Sequence, residues 1–228
     1  MKQVKINEIF YSIQGEGPYQ GVPQVFVRFS GCNIRCDYCD TDHFGYKVYT
    51  SKKLLDEIKS VHSGKEIHSI SITGGEPLVQ TDFLAEFLPV LNENKYKIYL
   101  ETNGILFNEL KRILPFVDII SMDIKLPSST GGMSFWCEHK EFLKESLKKE
   151  IFVKVVVTDK TNEDDFVKSV GLVSEANGKV FFVIQPVTFS GGCEPPSELL
   201  LNTFKKIALK KLSDVKVLYQ IHPLLGIK

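Results

Sequence analysis

The feature that most limits what this chain can fold into is an alternation: stretches of strand length and composition are followed, repeatedly, by segments with helical spacing. Residues 67–73 form an apolar run that ends directly in Gly74-Gly75-Glu76-Pro77. Further on, 96–102 precedes 107–114, 117–124 precedes 138–148, 151–158 precedes 163–175, and 180–187 precedes 196–212, with 215–221 as a last strand. Upstream, 4–13 and 24–30 read as strands. Residues 51–62 read as a helix with Leu54, Leu55, Ile58 and Val61 on one face and Ser51 available as its cap. Strands that alternate with helices pair in parallel through right-handed crossovers. The count comes to about six strand–helix units and a final strand, fewer than a closed barrel needs. The expected class is therefore α/β: a single domain over residues 1–228 built as a partial, open β/α barrel. A doubly wound sheet is the arrangement that periodicity does not separate from it. The run Pro127-Ser128-Ser129-Thr130-Gly131-Gly132 reads as a flexible loop able to cover a site.

Polar and glycine-rich residues fall at the C-terminal ends of these strands, the face on which parallel α/β folds build their sites. Residues 32–41 follow one strand and Thr73-Gly74-Gly75-Glu76-Pro77 the next. Glu101-Thr102-Asn103-Gly104, Asp123-Ile124-Lys125, Gln185-Pro186 and Gln220-Ile221-His222 end later ones. Singly, each has a plain structural reading: Glu101 as a helix-proximal carboxylate, Asp123 and Lys125 as a surface pair, Gly74-Gly75 as a turn, His222 as a tail residue. Their convergence on one rim is the stronger signal. The first strand leads into Gln14-Gly15-Glu16-Gly17-Pro18, a loop whose glycines permit close approach to a ligand, although a plain turn has the same composition. Arg28 lies among aromatic and β-branched neighbours and needs an anionic partner, either a protein carboxylate or a ligand.

The densest chemistry is the run Cys32-Asn33-Ile34-Arg35-Cys36-Asp37-Tyr38-Cys39-Asp40-Thr41, three cysteines spaced C-x3-C-x2-C. Three thiols this close cannot comfortably pair among themselves and read as soft ligands to one metal centre. Zinc would want a fourth protein ligand, for which His43 is the nearby candidate. An iron–sulfur cubane usually takes four cysteines, so three would leave one iron open. Unrelated thiols in a turn are the remaining reading. Cys137 and Cys193 receive no role, although Cys193 sits in a glycine-rich stretch that could approach the site.

Lys plus Arg and Asp plus Glu both total 28, so the formal net charge is zero and no global basic field draws in nucleic acid or an anionic membrane. A small-molecule substrate is the default. The N-terminus lacks the apolar run of a signal peptide, and no stretch approaches the ~20 apolar residues that span a bilayer. The reducing cytoplasm is the expected compartment.

The cysteine loop with Tyr38 before its last cysteine, Thr73-Gly74-Gly75-Glu76-Pro77 after a strand and Glu101-Thr102-Asn103-Gly104 after the next resemble the radical S-adenosylmethionine (SAM) superfamily. More narrowly, Ile13-Gln14-Gly15-Glu16-Gly17, Val27-Arg28-Phe29, Cys39-Asp40-Thr41-Asp42 and Gln220-Ile221-His222 resemble the 7-carboxy-7-deazaguanine synthase family within it. The resemblance runs from about residue 5 to the C-terminus and implies the open barrel typical of that superfamily. It also implies a radical rearrangement of 6-carboxy-5,6,7,8-tetrahydropterin to 7-carboxy-7-deazaguanine with loss of ammonia, in queuosine or archaeosine biosynthesis. SAM would be regenerated afterward. The implied cofactors are a 4Fe–4S cluster, SAM and Mg2+; the implied partners are an electron donor such as flavodoxin or ferredoxin and a second copy of the chain in a homodimer.

Carried over residue by residue, the resemblance implies that Cys32, Cys36 and Cys39 bind the cluster. It implies SAM contacts at Tyr38, Cys39, Asp40, Gly75, Glu101, Asn103, Asp123, Ile124, Lys125 and Gln185. It places substrate at Ile13, Gln14, Gly15, Glu16, Arg28, Thr73 and His222, and Mg2+ on Thr41. A hydroxyl and a substrate carboxylate suit a hard cation, and the Arg28 guanidinium can grip a carboxylate bidentately. Where many members carry Ser-Pro-Lys, this chain has Asp123-Ile124-Lys125, the Asp-x-Lys of radical SAM activating enzymes. Such an activating enzyme, acting on a protein partner, is the first alternative; it would not need the Gln14-Gly15-Glu16 loop, Arg28 or Thr41. A noncatalytic zinc-binding module is the second.

Overall fold

The computed structural model describes residues 2–39, 45–188 and 192–227. Its strands are β1 (Gln3–Ile13), β2 (Pro23–Phe29), β3 (Lys47–Thr50), β4 (Ser69–Gly74), β5 (Ile98–Thr102), β6 (Ile119–Asp123), β7 (Glu150–Val157), β8 (Phe181–Pro186) and β9 (Val215–Val217). They form one sheet in the order β3-β1-β2-β4-β5-β6-β7-β8-β9, parallel from β2 to β9 and not closed by a ladder between its ends. The longer helices are α1 (Ser51–Val61), α2 (Thr81–Glu93), α3 (Phe107–Ile113), α5 (Trp136–Ser146), α6 (Glu163–Asn177) and α7 (Glu198–Leu209). Two single turns complete the set, α4 (Pro127–Thr130) and α8 (His222–Leu225). Six strand–helix units and a final strand make the partial barrel expected from the alternation. Among the described residues, no helix is long and apolar enough to cross a membrane.

The period-2 geometry of the strands sorts their side chains onto two faces. On one face Val25, Val27, Phe29, Ile70, Ile72, Leu100, Ile120, Val153, Val155 and Ile184 join the buried cluster that α1–α3 and α5–α7 cover, with Leu54, Phe83, Leu110, Phe142, Phe166 and Phe204 packed into it. On the other face Arg28, Thr73, Glu101, Ser121, Asp123, Lys154 and Gln185 line a cleft. The same alternation that builds the core therefore builds the site.

The structure corrects the sequence reading in five places. β1 pairs antiparallel with β2, because the nine residues 14–22 between them are too few for a parallel crossover. β3, only four residues long, extends that antiparallel edge. Helix α2 follows Pro77, where no helix was expected. Its Pro89 costs about 3 kcal/mol by removing a backbone donor. Burial of Phe83, Leu84, Phe87, Leu88 and Leu91, at roughly 1.5–3 kcal/mol each, outweighs that. Residues 127–132 are no loose cover: α4 buries Ser129 and Thr130, and Ser129 Oγ shares a 2.8 Å hydrogen bond with Thr161 Oγ1. Finally, β9 stops at Val217; Leu218 N–H still donates to Ile184 O of β8 (3.1 Å), and 219–221 then leave the ladder to pack on the N-terminal loop.

That packing joins the two sides of the open sheet. The loop is held by Gln14 N–H to Val22 O (2.8 Å) and Gly21 N–H to Gln14 O (2.9 Å). Ile221 N–H donates to Gly15 O (3.0 Å) and Gln20 Nε2 donates to Tyr219 O. His222 lies so close to Gly15 that a Cβ there would stand 2.3 Å from its Nδ1.

Candidate active site

The cleft has a volume of about 960 Å³ and opens at the C-terminal ends of the parallel strands. Cys32, Cys36, Tyr38, Cys39, Gly75, Glu101, Asn103, Asp123, Lys125 and Gln185 line it, as do Ile13, Gln14, Gly15, Glu16, Arg28, Thr73 and His222. Ile124 is the exception. Its side chain is buried in the helix-covered core and its N–H donates to Lys154 O, so the cleft position expected for it is corrected by the strand alternation that puts Asp123 and Lys125 on the other face. Asp40, Thr41 and His43 lie outside the described residues.

The cysteine loop is braced from three sides. Cys39 N–H closes a turn onto Cys36 O (3.2 Å), Asp37 N–H donates to Thr130 O (3.0 Å), and Asn103 Nδ2 donates to Asn33 Oδ1 (2.7 Å). Two glycines are dictated by contact: a Cβ on Gly75 would stand 2.2 Å from Gly31 O, and one on Gly131, at φ +69°, would stand 2.3 Å from Asp37 Oδ2. Burial pushes the Cys36 thiol up to about 11 and raises that of Cys32. As thiolates these two residues would therefore need a bound cation, which is what a soft metal centre supplies. Among the described residues no three Cys, His, Asp or Glu side chains converge tightly enough to hold a single ion. Three cysteine thiols on one loop of the cleft wall are a soft donor set of the kind that a cubane takes, one cysteine per corner.

Beside this loop, Lys125 Nζ contacts Asp123 Oδ2 (2.9 Å) and Tyr38 OH (3.2 Å) and lies 5.2 Å from the Tyr38 ring centroid. Burial alone would pull the Lys125 ammonium down, but Asp123, Tyr38 and Cys36 together more than offset it and the group stays charged. Asp123 Oδ1 and Gln185 Oε1 are buried acceptors with no hydrogen-bond partner among the described residues. Unpaired acceptors in such a place cost about 1–3 kcal/mol each unless a ligand donates to them. Together with the Gly74-Gly75 turn they fit a polar, hydroxyl-bearing cofactor next to the cluster loop.

The inner part of the cleft is a second polar network. Glu101 accepts from Gln14 Nε2 (2.9 Å), Ser71 Oγ (3.0 Å) and Thr73 Oγ1 (2.9 Å). Glu16 accepts from Gln185 Nε2 (3.1 Å), Gln220 Nε2 (2.6 Å) and, through its other oxygen, Lys154 Nζ. Burial would raise the Glu16 carboxyl, but Lys154, with smaller help from Gln220 and His222, outweighs it and holds the group at about 2. Among the described residues Arg28, paired in register with Thr73, has a buried Nε without a hydrogen-bond partner; Glu8 forms an ion pair with it at 4.0 Å, beyond hydrogen-bond range. Of the two partners the sequence left open for Arg28, the protein carboxylate does not satisfy this donor.

Two residues here, Lys154 and His139, went unseen in the sequence, and a third, Glu76, was read only as part of the Thr73-Gly74-Gly75-Glu76-Pro77 motif with no role of its own. Lys154 is a lone cation in the apolar strand β7, the same signal that drew attention to Arg28. Glu76, fully buried, accepts from Thr102 Oγ1 (3.0 Å), Asn103 N–H (2.7 Å) and Leu78 N–H (3.0 Å), so it fastens one strand-end turn to the next. Burial lifts its carboxyl to about 7 despite these donors. His139 links Gly104 O (2.9 Å) to Lys125 N–H (3.1 Å), fixing the backbone on which Lys125 sits. No local motif marks His139.

Residues 26–191 match the Radical SAM superfamily. The 7-carboxy-7-deazaguanine synthase of Geobacter sulfurreducens is 35% identical over 246 aligned residues, which cover 97% of each chain. That of Thermoplasma acidophilum is 38% identical over 79% of this chain and 81% of its own. Among solved structures, QueE from Escherichia coli superposes with a TM-score of 0.68 over 94% of this chain and 93% of that one, at 21% identity, a likeness of fold. A family match that includes the cysteine loop, and relatives alike along their whole length, decide between the alternatives. The chain belongs to the radical SAM superfamily and, within it, to the 7-carboxy-7-deazaguanine synthase family, enzymes of the lyase class that work with a 4Fe–4S cluster and SAM.

Proposed function

We propose that the cleft takes 6-carboxy-5,6,7,8-tetrahydropterin and converts it to 7-carboxy-7-deazaguanine with release of ammonia, in 7-deazapurine biosynthesis. The observation that carries this reading is Arg28: a cation on the cleft wall, close to the cysteine loop, whose buried Nε has no hydrogen-bond acceptor among the described residues. A substrate carboxylate fills that need, and the names of the full-length relatives point to a carboxylated substrate of this kind.

Cys32, Cys36 and Cys39 hold the cluster, and Asp123, Lys125, Tyr38, Gln185 and the Gly74-Gly75 turn hold SAM. When bound and reduced, these groups supply the radical that takes a hydrogen atom from the substrate. The chain's own part is placement. Glu101, ordered by three donors, and Gln14 face the ring system, Arg28 fixes the carboxylate, and the Lys125–Asp123 pair keeps the cofactor side of the cleft polar and fully charged. Thr41, with the substrate carboxylate, is assigned to Mg2+ on the resemblance alone. On the same ground the chain is read as one radical SAM core, a cytoplasmic homodimer that takes electrons from a flavodoxin or ferredoxin.

The test is anaerobic reconstitution and reduction of the cluster, followed by incubation with SAM and 6-carboxytetrahydropterin and mass spectrometry of the product. Formation of 7-carboxy-7-deazaguanine is expected. SAM cleavage that proceeds without any conversion of the pterin would remove the substrate assignment.

A further inference from the structure

Glu16 makes unusual use of its oxygens. One accepts both amide donors, from Gln185 on β8 and Gln220 beyond β9, and the other takes the Lys154 ammonium. A carboxylate offers roughly four acceptor positions, so most of its capacity faces protein. Lys154 in turn approaches Asp123 Oδ2 at 3.5 Å, its register partner on β6. Its side chain is nearly buried, in a strand whose other inward residues are Phe152 and Val156. Glu16 belongs to the loop that crosses from β1 to the tail after β9, two parts of the sheet that no backbone ladder joins. The titratable groups that bear on Glu16 are Lys154 from β7 and His222 from the tail, with the Tyr99 phenol on β5; Asp123 from β6 and Lys125 just beyond it bear on Lys154. Lys154 is the cation in contact.

We propose that Lys154 is a positioning residue that clamps Glu16 and so holds loop 14–22 across the open side of the barrel, with Gln14 and Gly15 presented to the substrate. The substrate part of this statement rests on the function proposed above; the clamp does not. The ion pair is hydrogen-bonded and largely buried, with Glu16 keeping 21% of its side chain exposed, a situation in which loss of one partner leaves the other charge poorly compensated. In the native protein the Glu16 carboxyl, held at about 2, lies below its ordinary 4.5, so the clamp's contribution is complete above that value and is lost only as pH falls toward 2. Loop protection should therefore be flat between about pH 5.5 and pH 8. Without the ammonium, burial governs and the carboxyl rises above 4.5. The closed loop is then favoured at low pH, where Glu16 is neutral, and lost as pH increases.

The experiment is hydrogen exchange on the cluster-loaded protein, following peptides that span 14–22 and normalised to intrinsic exchange at each pH. In Lys154→Met the segment should exchange about tenfold faster than wild type near pH 8 and approach wild type as pH falls toward about 4, the swing that a rise of one pKa unit from 4.5 gives. Lys154→Arg should restore the flat profile, and Glu16→Gln in the Met background should abolish the pH dependence. KM for the carboxylated tetrahydropterin should rise with the same pH profile. Exchange in Lys154→Met that equals wild type at both pH values, or is faster by one factor at both, overturns the clamp. If Lys154→Met does not fold, Glu16→Gln alone carries the test: faster exchange confined to 14–22 supports the clamp and unchanged exchange overturns it. Exchange behaving as stated in a protein that does not convert the pterin would leave the clamp standing and remove the substrate reading.

Discussion

Replacing Arg28 by lysine separates substrate binding from cofactor chemistry. The substitution keeps the charge and loses the planar two-pronged donor. If the guanidinium grips a carboxylate, one charge-assisted hydrogen bond disappears, at about 1.5–3 kcal/mol, which is roughly 10- to 150-fold in affinity. The Arg28 side chain keeps 29% of its surface exposed, so solvent competes and the lower part of that range, roughly 10- to 30-fold, is expected. The structural cost is smaller. Glu8 is 4.0 Å away and itself 34% exposed, a pair worth under about 1 kcal/mol, and the stacking of the cation over Phe10 at 5.6 Å is partly kept by lysine. Substrate affinity and reductive SAM cleavage without substrate are to be measured on one preparation, together with the melting temperature. Affinity should fall by the stated factor while uncoupled cleavage and melting change little. Parallel loss of affinity and cleavage with a marked drop in melting temperature would refute the clamp and make Arg28 a structural cation.

Alanine at Cys32, Cys36 or Cys39 should each abolish iron–sulfur content, whereas alanine at the exposed Cys137 or the buried Cys193 should leave it intact; iron and sulfide analysis of the anaerobic proteins decides this. Mg2+ should raise activity, and Thr41→Ala should lose most of that response; an unchanged magnesium titration in the variant would leave Thr41 as a turn residue. Glu76 predicts a pH effect on stability. Its folded value of about 7 lies above the ordinary 4.5, so its contribution is complete below 4.5 and is lost as pH rises through about 7, a gap that linkage converts to about 3 kcal/mol. Glu76→Gln should therefore gain on wild type by up to that amount between those pH values in urea midpoints taken at matched cluster content. A difference curve that stays level across the window would count against a buried, late-titrating Glu76.

What the sequence determined by itself is what chain-local physics encodes. Alternation of period 2 followed by period 3.6 named the strand–helix units, and the position of each polar motif after a strand put it on one rim, because neighbouring parallel strands end on the same side. The cysteine spacing and the Gly74-Gly75 turn were legible for the same reason: their chemistry lies within a few residues. The tertiary structure decided what depends on partners far apart in the chain. Lys154 finds Glu16 and Asp123, Glu76 finds Thr102 and Asn103, and His139 finds Gly104 and Lys125; no window of sequence contains these pairs. The direction of β1 followed from loop length and edge position. The order in 127–132 came from the buried contacts of Ser129 and Thr130 and from the bond between Thr130 and Asp37. The end of β9 was set by the N-terminal loop, whose hydrogen bonds to the tail replace the ladder, so the seam that shapes the cleft became visible only once both ends of the chain had met.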